Sequence, residues 1–312
     1  MKPVAGALLA LLVPFCFGCG HSAAATHGTR APARFRPGAI AFWDARNGLA
    51  LFGPPATVSG RWRDVVESTS DGGRTWKRLR SVANGGRIVA AGRSRAWLLT
   101  RRGLLRSDDR GVTWTQVSNY PLVDVSFATA RQGLGYGVRG THELLAATSD
   151  GGRSWRGLRF PCPNDGGVDA DDAVSLGAPL NGWVMCVGEP GAGSQRKRLF
   201  ESDDGGRTWH RRAALGVGYF AGFSFRGGTG WLWEHRGSFL RSVDVGRSWS
   251  PLAIGRPEQV EAESASFYSA TGGLALLHDV RHGARLRLAR TADGGRSWQE
   301  VRSWAVRIWP AV

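Results

Sequence analysis

His278 and His282 stand four residues apart with Asp279 beside the first, a spacing that would suit a metal ion on a helix. Their surroundings read as a turn between strands and no third ligand accompanies them, so two loop histidines are expected. The run Asn164–Asp172 gathers carboxylates that could hold Ca²⁺, yet their spacing fits no Ca²⁺ loop, and a solvated loop is expected. No Ser-His-Asp set, phosphate loop or zinc spacing occurs, and neither a metal nor a cofactor is expected. What the chain holds in excess is positive charge. Its 312 residues carry 41 Lys and Arg against 25 Asp and Glu, a net +16, and the only lysines are Lys2, Lys77 and Lys197. A surplus of this size attracts polyanions: nucleic acid, anionic lipid or acidic polymer.

The elements that must position those arginines come from one stretch that recurs. Thr69-Ser70-Asp71-Gly72-Gly73-Arg74-Thr75-Trp76 has the frame Ser/Thr-x-Asp-x-Gly-x-Thr/Ser-Trp. Five more copies place Asp109 with Trp114, Asp150 with Trp155, Asp204 with Trp209, Asp244 with Trp249, and Asp293 with Trp298, at periods of 38 to 54 residues. Periods of that size mean a propeller, solenoid or array. Each copy reads as a tight turn. The Asp side chain bonds backbone N–H groups nearby, the Gly takes a positive φ without steric cost, and the Trp resumes a strand with a large apolar area.

Each repeat opens with a short apolar strand: Ala39–Phe42, Arg87–Ala90, Val123–Phe127, Ala173–Leu176, Gly222–Phe225 and Ser266–Tyr268. A glycine-bearing turn and a second apolar strand follow, as in Asn47–Leu51, Gln132–Tyr136, Asn181–Met185 and Gly230–Trp233. A third strand enters the Asp turn and a fourth leaves it. Four strands per unit is the propeller blade, so an all-β chain with a single propeller of six four-stranded blades is expected over residues 38–312, seven blades being the alternative. The tail Val301–Val312 is too short for a further blade and is expected to add a strand that latches the last blade to the first.

The repeat resembles the Asp-box, or bacterial neuraminidase repeat, of sialidase-like propellers, also found in photosystem II assembly-factor propellers and sortilin-type receptors. In that family the Asp-box is structural, which implies that none of these aspartates is catalytic. The resemblance also opens an enzyme reading, an exo-sialidase-like glycoside hydrolase. That chemistry needs arginines to clamp a substrate carboxylate, an acid, and a Tyr nucleophile polarised by Glu. Tyr268 with Glu263 is the tolerable pair, and Arg36, in Arg34-Phe35-Arg36-Pro37, is a degenerate match to the family's arginine signature. The leading expectation is instead a non-catalytic, monomeric binding, scaffold or assembly module.

Residues 1–19 join Lys2 to an apolar run from Val4 to Phe17, too short for a membrane span, and read as a secretory signal. Its end, Cys16-Phe17-Gly18-Cys19, resembles a bacterial lipobox with Cys19 as the lipidated residue; cleavage after Ala25 is the alternative. Residues 20–37 read as a flexible tether. An exported protein is expected, on the outer leaflet of the cytoplasmic membrane as a lipoprotein or secreted, touching membrane only through the lipid anchor. Export sets nucleic acid aside and leaves an envelope protein, acidic polymer or lipid surface as the partner. Cys162 and Cys186 are then expected to form a disulfide, two thiols being the alternative.

A four-stranded meander alternates its turns between two faces. The turn between strands two and three falls opposite the Asp-box. Those turns carry Arg61, Arg63, Arg101, Arg102, Arg139, Arg196, Lys197, Arg198, Arg236, Arg281 and Arg285, with His142, His235, His278 and His282. An anionic partner is expected there, although Arg74, Arg153, Arg207, Arg247 and Arg296 form a second basic ring on the Asp-box face.

Overall fold

The computed structural model describes residues 35–54, 63–83, 85–163, 172–178, 181–192, 194–216, 218–235, 238–254, 260–279 and 285–305. The signal and tether up to residue 34, Cys19, Arg61, most of the acidic loop, Arg236, Arg281, His282 and the tail beyond Ala305 lie outside the described residues. Blade one holds β1 (Arg36–Phe42), β2 (Gly48–Gly53), β3 (Arg63–Thr69) and β4 (Lys77–Ala83). Blade two holds β5 (Gly85–Ala91), β6 (Arg95–Thr100), β7 (Gly103–Ser107) and β8 (Thr115–Ser118). Blade three holds β9 (Leu122–Phe127), β10 (Gly133–Arg139), β11 (His142–Thr148) and β12 (Arg156–Leu158). Blade four holds β13 (Ala173–Leu176), β14 (Gly182–Gly191), β15 (Ser194–Ser202) and β16 (His210–Leu215). Blade five holds β17 (Tyr219–Arg226), β18 (Thr229–His235), β19 (Phe239–Ser242) and β20 (Ser250–Leu252). Blade six holds β21 (Val260–Phe267), β22 (Gly273–Asp279), β23 (Arg285–Thr291) and β24 (Gln299–Ala305). Each blade is an antiparallel meander in sequence order, and the first strands neighbour one another around a central channel, β21 meeting β1. The ring has six blades.

The Asp-box supplies the same hydrogen bonds in every blade. In the first, Thr69 Oγ1 donates to Asp71 at 2.8 Å and accepts Gly73 N–H at 2.9 Å, while Asp71 accepts the Thr75 hydroxyl at 2.6 Å. The turn is pinned to the strand-one to strand-two turn of its own blade through Gly72 N–H to Arg46 O, 2.8 Å. Both turns therefore lie on one face. Gly73 sits at φ 93°, a left-handed conformation that a Cβ would strain. Blade five carries Val245 at φ 58° in this turn, a β-branched residue in the same region.

Packing between blades rests on one repeated device. Trp97, Trp183 and Trp231, each the second residue of the second strand or the third, are fully buried and stack on Phe127, Phe225 and Phe267 of the next blade. Ring centroids are 3.6, 4.0 and 3.8 Å apart, with planes within 5°. Each indole N–H also reaches a carbonyl of the next blade's Asp-box, on Gly151, Val245 and Gly294. The register puts Leu49, Leu134 and Leu274 at this place in the other blades. Gly133, Gly230 and Gly273 lie opposite the phenylalanines because any Cβ there would strike the ring.

The described part of the tail, Val301–Ala305, adds no strand to blade one, and the rest of it lies outside the described residues. Val301–Ala305 belong to β24, the fourth strand of blade six, and every described sheet is built from four consecutive strands. Blades six and one are joined instead by side chains. Ser266 Oγ accepts Phe42 N–H at 2.9 Å, Arg36 donates to both oxygens of Glu263 at 2.8 Å, and Arg302 donates to Arg74 O at 2.6 Å. The Trp304 ring meets Phe52 edge-on, so this part of the tail crosses the seam by a side chain rather than a strand.

Candidate functional site

The structure places Tyr268 and Glu263 at different heights of the last blade's first strand and brings Glu263 to Arg36. Tyr268 follows the last residue of β21, with its ring near Gly272 at the Asp-box end of the strand. Glu263 lies five residues earlier, about 15 Å along an extended chain. Glu263 is occupied by Arg36, and His278 Nδ1 stands 3.4 Å from it. Arg36 and Glu263 thus engage each other, the guanidinium reaching both carboxylate oxygens through Nη1. Burial pushes the Tyr268 hydroxyl above its ordinary value; Arg290 acts against the shift and Asp44 with it. That keeps the phenol protonated.

The Asp-box aspartates are structural in geometry. Hydrogen bonds from the Thr208 hydroxyl and N–H hold Asp204 well below the usual carboxylate range, and those from Ser248 hold Asp244 at about 2. Asp71, Asp109, Asp150 and Asp293 shift the same way. The stability they contribute is complete above the ordinary value of 3.8 and is lost as pH falls through the depressed folded values. Asp64, Glu67 and Asp124, raised by burial, act in the opposite sense but are fewer. Melting temperature is expected to hold from pH 7 to about 5 and to fall between about pH 4 and 2. Replacing Asp244 with Asn should flatten that fall, and a wild-type profile without it would remove the role assigned to these turns.

The two faces differ in how their arginines are engaged. On the Asp-box face, Arg74, Arg153 and Arg296 fold back to donate to the carbonyls of Asp71, Asp150 and Asp293, at 2.9, 3.2 and 3.2 Å. Each stands three residues from an ionised aspartate. Opposite, Arg101 and Arg102 are exposed on the turn between β6 and β7, and Arg139 is exposed on the adjoining blade at the end of β10. Among the described residues none of these three guanidiniums meets a carboxylate. Most acids of this face are spent: Glu143 accepts the Tyr136 hydroxyl, Asp279 pairs with Arg287, and Glu234 is buried. Glu189 is exposed.

Other expected members of the basic face are placed differently. Lys197 is fully buried, its ammonium 2.9 Å from Glu234 of the next blade and bonded to the carbonyls of Gln195 and Gly218. The reason is strand length. β14 and β15 run on to Gly191 and Ser194, so Lys197 is an inward strand residue between Arg196, which is exposed, and Arg198, which is half-buried. Arg285 is held within its own blade by Glu300 and Ser303. His235 lies 3.2 Å from Glu261. Cys162 and Cys186 are bonded as a disulfide, Cα atoms 5.5 Å apart, tying the segment after β12 to β14. The nearby Asp172 accepts Val187 N–H at 2.6 Å.

The profile of the BNR/Asp-box repeat matches residues 200–211. No curated protein matches the sequence. Among solved structures, YCF48 bound to D1 peptide is similar over 83% of this chain and 77% of its own, at 16% identity and a TM-score of 0.51. The GH93 α-L-arabinofuranosidase of Fusarium graminearum is similar over 81% and 91%, at 12% identity and 0.52. The β-propeller domain of the trilobed protease from Pyrococcus furiosus, described as having an open velcro topology, is similar over 86% and 98%, at 7% identity and 0.52. A peptide-bound protein and a glycoside hydrolase share this architecture, so the fold by itself carries no reaction. The chain is a six-bladed β-propeller with an Asp-box turn in every blade, alike in fold to YCF48 and to the GH93 α-L-arabinofuranosidase.

Proposed function

We propose that this chain is a non-catalytic binding module that docks an acidic protein segment on the face opposite the Asp-boxes. The observation that carries the reading is the cluster of Arg101, Arg102 and Arg139 on neighbouring blades, exposed and unmatched by described carboxylates. Cations without an internal counter-charge add no stability to the fold and are available to an external anion. The likeness in fold to YCF48, whose structure holds a D1 peptide, supports a protein as partner. On this reading the chain is exported and anchored through Cys19, or secreted, and meets its partner in the cell envelope.

Fluorescence anisotropy with labelled poly-L-glutamate as the acidic probe tests the proposal. Affinity is expected to fall steeply as salt rises past the point where the Debye length drops below about 10 Å. A salt-independent affinity, or none at low salt, would contradict it.

A further inference from the structure

The central channel, about 260 Å³, is lined mainly by residues of the six first strands. At one level the register places Ser126, Ser175, Ser224 and Ser266, opposite Leu134, Trp183, Trp231 and Leu274 of their second strands. Ser126, Ser175 and Ser266 each accept a backbone N–H from the first strand of the next blade, from Leu176, Phe225 and Phe42 at 3.0, 2.8 and 2.9 Å. Each thereby accepts one hydrogen bond from the neighbouring blade, and its hydroxyl proton remains to be donated. Ser224 makes no side-chain hydrogen bond to the described protein. Arg226, which ends β17 two residues beyond Ser224, lines the same channel.

Arg226 is unlike the other charges there. Arg87 is matched by Asp124 at 3.0 Å, and Glu263 is held by Arg36. Arg226 donates only to the carbonyl of Phe225, at 3.1 Å, and meets no carboxylate among the described residues. Burial lowers it to about 10, and the positive charge of Arg87 adds to the effect, so it remains a cation at neutral pH with no carboxylate of its own among the described residues.

We propose that the channel binds a small oxyanion, a phosphoryl or carboxylate group, with Arg226 supplying the charge and the serine hydroxyls supplying donors. The chemistry is one-sided: a guanidinium and a ring of O–H donors, with the wall's own carboxylate already neutralised. A group bearing several acceptor oxygens satisfies both at once. This site is independent of the arginines on the outer face.

Calorimetric titration and thermal melts with inorganic phosphate, and separately with acetate, against sodium chloride of matched ionic strength, test the site. At least one of the two anions is expected to bind and to raise the melting temperature, and which one does so distinguishes a phosphoryl from a carboxylate ligand. Arg226→Met is expected to weaken binding about tenfold or more, and Ser224→Ala about threefold. Ser224→Ala removes no described hydrogen bond, so it decides the matter if Arg226→Met does not fold. Charge reversal at Arg101, Arg102 and Arg139 should leave this binding intact while weakening capture of poly-L-glutamate about tenfold or more, which separates the two sites. No binding beyond chloride, or equal binding by wild type and both channel variants, would overturn the proposal.

Discussion

Trp183→Ala is expected to lower the unfolding free energy by about 3–5 kcal/mol. Trp183 is fully buried, lies parallel to Phe225 of the next blade with centroids 4.0 Å apart, and donates to Val245 O at 3.3 Å. Truncation removes the buried indole, exposes one face of Phe225 to a cavity, and leaves the Val245 carbonyl without that donor. Neither blade can relax freely to fill the gap, because each is fixed by its own four-stranded ladder and Asp-box. Trp97→Ala and Trp231→Ala should cost similar amounts, since both repeat the stack and the carbonyl bond. Chemical denaturation measures the effect, and a loss under about 1 kcal/mol would show that the stacks are not what holds adjacent blades together.

Lys197→Met should cost about 3–5 kcal/mol, because it strands the Glu234 carboxylate in the interface between blades four and five. Glu234 would keep its hydrogen bond from Ser238 N–H but lose its counter-charge. Adding Glu234→Gln removes the charge while retaining an acceptor for that N–H. The double variant is therefore expected to recover most of the loss, to within about 1 kcal/mol of wild type. If the double variant were as unstable as the single one, the damage would lie in the lost lysine bonds to Gln195 and Gly218 rather than in an unpaired charge.

The architecture was legible because the Asp-box writes its hydrogen bonds into fixed residue types. A Thr or Ser, an Asp two residues on and a Gly two further on are the atoms that close each turn. The period of that frame then marks the blades. The first strands were legible for a similar reason, being apolar runs bounded by glycine turns. Lys197 was not, because the hairpin of β14 and β15 extends past the residues that look like a turn and converts a loop position into an inward one. Among the described residues the seam between blades six and one is joined by single side chains, Arg36, Ser266, Arg302 and Trp304, which leave no periodic trace in the sequence. The channel serines did leave one. Ser126-Phe127, Ser175-Leu176, Ser224-Phe225 and Ser266-Phe267 share a serine one place before the residue that ends the inner strand's packing face. Tyr268 and Glu263 are close in sequence, but strand geometry, at about 3.3 Å per residue, carries them apart.

The most direct measurement compares two triple variants of equal net charge. One reverses Arg101, Arg102 and Arg139 to glutamate; the other reverses Arg74, Arg153 and Arg296 on the Asp-box face. Affinity for labelled poly-L-glutamate is expected to fall about tenfold or more in the first and to change little in the second. Equal losses in both would mean that overall charge, not a docking face, captures the acidic chain, and full affinity in the first would place the partner elsewhere on the ring.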